Sequence, residues 1–331
     1  MPFEVIQTRL PHPVALDATL WELQQVENGV RVAQAVLWPA LGFNCLRWQV
    51  GERDLLFGPT AESFADLRPT RFGVPVLFPF PNRIRAGRFH VAGQEYQLPC
   101  GDSTRKNAIH GFACRHPWRV IDQGSDERSA WVTGEFHCAK DGPADLALWP
   151  ADHRIRLTYR LSRGALRLEA EVHNPDSRPL PFGLGYHPYF AMGPGDLTVE
   201  VPAQDYWVLE ESLPTGECRH VDDIRDLNVA RPCSALHLDD VLTELPPRAP
   251  RMDGLIERAL LRRDDGLTMR LFCSPEFREL VVFTPPHRQA FCVEPYTCPT
   301  DAIHLQEQIG DVGWKTLAPG ASWTGTIEFW V

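Results

Sequence analysis

Apolar and polar residues alternate with a period of two along much of this 331-residue chain, a pattern that predicts strands. From Arg154 to Leu161 the apolar positions Ile155, Leu157, Tyr159 and Leu161 share one face. Ser162-Arg163-Gly164 then supplies a turn, and Ala165 to Val172 repeats the alternation with Leu166, Leu168, Ala170 and Val172. Two such runs joined by a short glycine-containing turn predict a β-hairpin. The same reasoning predicts hairpins over Ala259–Phe272, turned at Asp264-Asp265-Gly266, and over Arg88–Leu98, turned near Ala92-Gly93. Further strands are expected at Arg31–Leu37, Trp131–Phe136, Leu280–Phe283, Phe291–Val293 and Thr326–Val331. Polar-out, apolar-in alternation belongs to antiparallel sheets with one covered face. Helical periodicity is weak, with a short helix expected at Ala61–Leu67 and a helical turn at 221–227.

Thirty prolines and 24 glycines, spread along the chain, read as turns between many short strands. No repeat, low-complexity tract or long linker divides the sequence. The Pro-rich stretch Pro246–Pro250 reads as a loop. The expected architecture is all-β: one large antiparallel β-sandwich with few short helices, forming a single domain over residues 1–331. Hydrophobic content of 44% and charged content of 23% are those of a globular protein. A net charge of −10 disfavours nucleic acid and anionic membranes as partners. No apolar run approaches the roughly 20 residues of a membrane span, and no secretory signal is visible. Nine cysteines, an odd number without Cys-x-x-Cys spacing, predict reduced, buried thiols and a cytoplasmic location. His110, Cys114 and His116 match no standard zinc spacing, so no metal is expected. The ten tryptophans fit either core or sugar-stacking roles, with the core as the default for most of them.

Four stretches place polar groups inside apolar, turn-rich sequence. Gly73 to Arg85 ends an apolar run in Asn82-Arg83, and the arginine fork suits oxygen-rich ligands. Ile109-His110-Gly111 sets a histidine where glycine permits close backbone approach. Pro181-Phe-Gly-Leu-Gly-Tyr-His187-Pro-Tyr-Phe190 has one titratable group, His187, among prolines that make a poor sheet centre. Taken alone it reads as a packed histidine at a strand end. Phe291-Cys-Val-Glu294-Pro-Tyr-Thr297 sets a carboxylate at the end of an apolar strand, which is costly unless the group is paired or functional. Two histidines, a carboxylate and an arginine fit general acid–base proton transfer better than covalent catalysis. No Gly-rich phosphate loop and no Gly-x-Ser-x-Gly elbow is present.

From about residue 30 onward the chain resembles the aldose 1-epimerase (galactose mutarotase) family, as a divergent, bacterial-type member. Six short motifs follow in the family's order: Pro81-Asn82-Arg83-Ile84; Ile109-His110-Gly111 with Trp118; His187-Pro-Tyr-Phe190; Pro214-Thr-Gly216; an aspartate at Asp239 or Asp240; and Val293-Glu294-Pro295. Asp239 is the better match to the family's spacing. Tyr186 and Ala191-Met192 depart from the best-known members and are expected to mark a different sugar preference. The resemblance implies a galactose mutarotase-like sandwich with its site in a cleft on one sheet. It implies interconversion of the α and β anomers of an aldose without cofactor, by a monomer or homodimer whose partner is the small-molecule sugar. By motif position Glu294 resembles the general base and His187 the general acid, while Arg83, His110, Asp239 and Asn82 resemble sugar-binding residues.

Reference pKa values of about 4.3 and 6.5 make an isolated glutamate ionised and an isolated histidine mostly neutral near pH 7. The acid role of His187 therefore needs a nearby anion, and Asp239 is the expected one. A hexose 6-phosphate substrate is the alternative within enzymes, with Arg85, Arg88, Arg105 and Arg115 as possible phosphate ligands. A non-catalytic carbohydrate-binding protein is the alternative outside them.

Overall fold

The computed structural model describes residues 2–10, 14–246 and 248–331. Met1, and Pro247 within the Pro-rich loop, lie outside the described residues. Three large antiparallel sheets dominate. The first comprises Phe3–Arg9, Thr19–Glu27, Val30–Trp38, Asn44–Val50 and Arg53–Asp54 in sequence order. The second has nine strands, ordered Arg119–Ser125, Ser129–His137, Arg154–Ser162, Ala165–His173, Ser322–Trp330, Thr268–Cys273, Ile256–Arg263, Leu197–Glu200 and Arg231–Pro232. The third runs Leu213–His220, Asp205–Glu210, Asp239–Thr243, Glu279–Phe283, Ala290–Tyr296, Gly185–Tyr186 and Val76–Leu77, with Tyr189–Ala191 also paired to Ala290–Tyr296.

The predicted hairpin forms as expected. Arg154–Ser162 pairs with Ala165–His173 in unbroken register down to Ser162 opposite Ala165, and all eight predicted apolar positions are buried. The other two hairpins also form, as Arg88–Val91 with Gln94–Gln97 and as Ile256–Arg263 with Thr268–Cys273. The apolar face of the nine-stranded sheet packs against both other sheets. Phe43 meets Tyr159 edge-on at 5.2 Å, and Phe329 contacts both Trp48 and Phe190. One continuous core results, running from Phe3 to Phe329. Each large aliphatic side chain in it contributes about 1.5–3 kcal/mol by leaving water.

Several expectations fail for identifiable reasons. The strands Phe3–Arg9 and Thr19–Glu27 go unpredicted; in the second, polar Gln24 and Gln25 sit at buried positions and break the alternation. Ala61–Asp66 is the expected helix, capped by Thr60, and 221–227 closes one turn on the Asp222 carbonyl. Helix Ala302–Ile309 is unpredicted, since only Ala302, Ile303 and Leu305 are buried and eight residues give little room for a period to repeat. The Pro181–Phe190 stretch does place His187 at a strand end, but inside a sheet. It enters the third sheet as Gly185–Tyr186 between Ala290–Tyr296 and Val76–Leu77, and breaks at His187-Pro188. Seven cysteines are buried, but Cys218 is exposed and Cys100 half-exposed. Cys218 lies on Leu213–His220, the edge strand of its sheet.

Leu157 is fully buried on an interior strand of the nine-stranded sheet. Leu157→Ala is expected to cost about 2–5 kcal/mol of stability. The check is a lower guanidinium midpoint with an unchanged denaturant slope.

Candidate active site

The cleft lies on the outward face of the third sheet, and strand register decides what lines it. Directly opposed residues of an antiparallel pair share a face. Tyr189 opposes Cys292, Cys292 opposes Phe283, and Phe283 opposes Asp239. One step along, Glu294 opposes Val281; a further step puts Gly185 and Glu279 on either side of Tyr296. Cys292, Glu294 and Tyr296 therefore face the cleft side, while Phe291 and Val293 enter the core. His187, at the break in its strand, reaches the same floor. Its Nε2 lies 3.3 Å from Glu294 Oε1. The imidazole stacks on Tyr189 with centroids 4.5 Å apart and meets Phe283 edge-on at 6.0 Å.

A two-stranded ribbon forms the adjoining wall. Ile109 opposes Arg83, and the His110 N–H donates to the Asn82 carbonyl at 2.8 Å. Asn82 and His110 both adopt left-handed backbone, at φ of 51° and 64°. Each such non-glycine residue costs roughly 1–3 kcal/mol, strain that concentrates at functional sites. Gly111 follows at φ 63°, where a Cβ would lie 2.3 Å from the Phe78 carbonyl oxygen, so only glycine lets this turn dock. The Arg83 guanidinium donates to Asn82 Oδ1 at 3.0 Å and pairs with Asp102 at 3.4 Å. Asp301, which precedes helix Ala302–Ile309, donates its N–H to the Arg83 carbonyl at 2.9 Å. The unpredicted helix thus secures the backbone under Arg83.

Burial sets the protonation of the floor. Desolvation pushes the Glu294 carboxyl well above the usual carboxylate range; the Tyr296 hydroxyl bond and Arg83 oppose this, and Asp239 adds to it. Desolvation likewise lowers His187 to about 3. His110 is driven well below its ordinary value by burial first, then by His187, Arg83 and Arg115. Asp239 reaches solvent at the cleft mouth, yet the crowding protein around it raises its carboxyl despite Arg83. Asp239 therefore does not raise His187, contrary to expectation, and the contact of His187 is with Glu294. Reference values misassign both groups because each is removed from water. His110 Nδ1 and His187 Nδ1 are buried without a hydrogen-bond partner among the described residues, and Arg83 Nε has only its 3.4 Å ion pair with Asp102. Such an accumulation of unmet polar atoms is tolerated mainly where function demands it.

All six sequence-selected residues, Asn82, Arg83, His110, His187, Asp239 and Glu294, line one cleft of about 410 Å³. That size lies within the range of small-molecule sites. Asp240 is instead tied to Arg225 at 2.7 Å. Tyr189, Phe283, Tyr296, Arg71 and His287 line the cleft as well and were missed. Tyr296 carried a signal, because it stands two residues from Glu294 on one strand. Tyr186, expected to tune sugar preference, is fully buried against Phe277, facing away from the cleft. Ala191 lines a separate cavity. Arg85, Arg88, Arg105 and Arg115 do not line the cleft; Arg85 pairs with Asp301 and Arg115 donates to the Ile109 carbonyl. None of the tryptophans lines it.

Potential metal-ligand atoms of His187, Cys292 and Glu294 lie within 4.8 Å of one another. Burial holds the Cys292 thiol well above its ordinary pKa, and Glu294 Oε2 already accepts from Tyr296. The group thus reads as proton-handling chemistry more readily than as thiolate ligation. His116, in the cluster weighed above, pairs with Asp145 at 2.6 Å.

The cleft thus gathers buried ionisable side chains on one face of a β-sandwich. The aldose 1-epimerase family model matches residues 35–330, and the chain belongs to that family. It is 26% identical over 235 residues to the protein YihR of Escherichia coli K12, covering 69% of this chain and 71% of YihR. A galactose mutarotase-like protein from Clostridium acetobutylicum superimposes with a TM-score of 0.84 at 22% identity, covering 99% of this chain and 98% of that one. A galactose 1-epimerase from Lactobacillus acidophilus superimposes at 0.75 with 18% identity and the same coverage. These likenesses establish a galactose mutarotase-like fold. No helix among the described residues is long and apolar enough to cross a membrane.

Asp102, itself buried, anchors Arg83. Burial pushes its carboxyl up, but hydrogen bonds from Asn107, Thr104 and Lys106 outweigh this and hold it below the usual range. Asp102→Asn is expected to cost about 1–2 kcal/mol near neutrality. A depressed carboxylate stabilises the fold above its unfolded value of about 3.9 and loses that contribution as pH falls through its folded value. The gap between variant and parent in denaturant midpoint should therefore close on acidification below about pH 4.

Proposed function

We propose that the protein is a mutarotase that interconverts the α and β anomers of an aldose by general acid–base catalysis. The contact between Glu294 Oε1 and His187 Nε2, 3.3 Å apart on the floor of a sugar-sized cleft, carries this reading. The base Glu294 removes the proton of the C1 hydroxyl. As the C1–O5 bond breaks, His187 donates a proton to O5, leaving a C1 aldehyde. Rotation about C1–C2 presents the other carbonyl face. His187 then recovers the O5 proton as the ring closes, and Glu294 protonates the new C1 oxygen. Arg83, His110, Asn82 and Asp239 hold the hydroxyls, and Arg83 offsets charge developing on oxygen.

Burial favours a neutral pair, with the proton on Glu294 and a free imidazole on His187. The working form has that proton on His187. Both forms contain one proton, so the change between them is a transfer across 3.3 Å with no net uptake. The pair has macroscopic pKa values that belong to neither residue alone. A bell-shaped pH profile of kcat/KM is expected, because the pair fails when it holds two protons or none.

Polarimetry with fresh α-glucose or α-galactose tests the proposal. Glu294→Gln should fall to the uncatalysed rate with its fold intact, and a variant retaining most of its kcat would remove Glu294 from the base role. His187→Asn should lower kcat by on the order of 10²-fold or more, whereas a change in KM alone would make His187 a binding residue. Binding without acceleration across a sugar panel would favour a non-catalytic carbohydrate-binding protein. One observation favours a phosphorylated sugar as a second reading. Arg71 lines the cleft, is exposed, and has no carboxylate within ion-pair distance among the described residues. Competition between free hexose and hexose 6-phosphate separates the two substrates.

A further inference from the structure

Glu294 has two carboxylate oxygens, and the site treats them differently. Oε1 faces His187, while Oε2 accepts the Tyr296 hydroxyl at 2.5 Å. Tyr296 follows Glu294 by two positions on the same strand, so both side chains project from one face. Its ring is fixed by a cross-strand gap. Gly185 is directly opposed, and a Cβ there would lie 2.4 Å from the Tyr296 ring and 2.8 Å from Pro81. The glycine two residues before His187 thus makes room for the tyrosine two residues after Glu294.

We infer that Tyr296 is a positioning residue: its hydroxyl occupies Oε2, leaves Oε1 as the oxygen that exchanges protons with the sugar and His187, and stabilises the ionised carboxylate. This rests on the mutarotase reading of the same cleft. Tyr296 is fully buried, and burial together with the adjacent carboxylate keeps the phenol protonated. It therefore serves as a fixed donor. A charged acceptor gains more from such a bond than a neutral one, so the hydroxyl favours the form of the pair with its proton on His187. The other titratable groups around the carboxylate are His187, Tyr189, Cys292, Asp239 and Arg83, with His110 beyond His187. Among the described residues none of these donates a hydrogen bond to Oε2.

Tyr296→Phe keeps the ring and its packing and removes the donor. Two arms separate this inference from the reading beneath it. Polarimetry of the parent and of Glu294→Gln tests the mutarotase reading by itself. Infrared titration of the protonated carboxyl band, assigned by subtraction of Glu294→Gln, reads Glu294 without turnover. In Tyr296→Phe the pH at which that band disappears should rise by about one to two units. One limb of the kcat/KM profile should move the same way, and kcat should fall on the order of 10-fold with KM little changed. Tyr296→Gln, which restores an N–H donor without the ring, should recover part of the shift; Tyr296→Leu, which also lacks a donor, serves as the test variant if Tyr296→Phe fails to fold. A folded Tyr296→Phe with parental carboxyl titration and kcat would show that the tyrosine only fills space and would overturn the inference.

Discussion

The register of strand Ala290–Tyr296 within the third sheet is the constraint on which the site depends. Its neighbours on both sides contribute to the cleft: Tyr189 from one direction, Phe283 and Val281 from the other. Side chains in a strand alternate with a period of two. A one-residue slip would send Glu294 and Tyr296 into the core and bring Phe291 and Val293 to the cleft. The apolar face prevents this, since Phe291 and Val293 are fully buried in the main cluster. Core packing thereby holds a carboxylate in place that would otherwise favour water.

Desolvation then determines the chemistry available. A glutamate and a histidine in solution would be ionised and mostly neutral at neutral pH. Placed 3.3 Å apart under Phe283 and Tyr189, they shift toward a neutral pair holding one proton. Glu279 shows the same physics without an opening to the cleft. It opposes Tyr296 on the same face, is fully buried between Trp207 and Thr243, and is pushed up to about 7, chiefly by desolvation. Burial and nearby partners, more than residue type, distinguish these carboxylates.

The cleft wall is held from outside the sheet. Arg83 is fixed by Asp102 from one loop, by Asn82 beside it and by the Asp301 N–H beneath its carbonyl. Asn82 and His110 bear left-handed backbone that packing around Phe78 and Gly111 sustains. The chain between His110 and Pro181 contributes four strands of the nine-stranded sheet and serves as scaffold.

Alternation along 154–172, 88–98 and 259–272 was sufficient to place three hairpins, because pairing between adjacent segments depends on local pattern and a turn. Short motifs named six of the residues that line the cleft: some stand out against apolar surroundings, and Asp239 came from the family resemblance. Other features lay beyond local reading. Tyr186 and His187 are neighbours in the chain, yet one enters the core and the other the cleft. Helix Ala302–Ile309 was too short to show its period, though it supports Arg83. The partner of His187 proved to be Glu294 and not Asp239, and both charge states depend on how much water the assembled sheets exclude. Local sequence determined which residues could pair, alternate and react. Tertiary structure decided which of them face one another and where their protons lie, because register and desolvation arise from contacts between segments far apart in the chain.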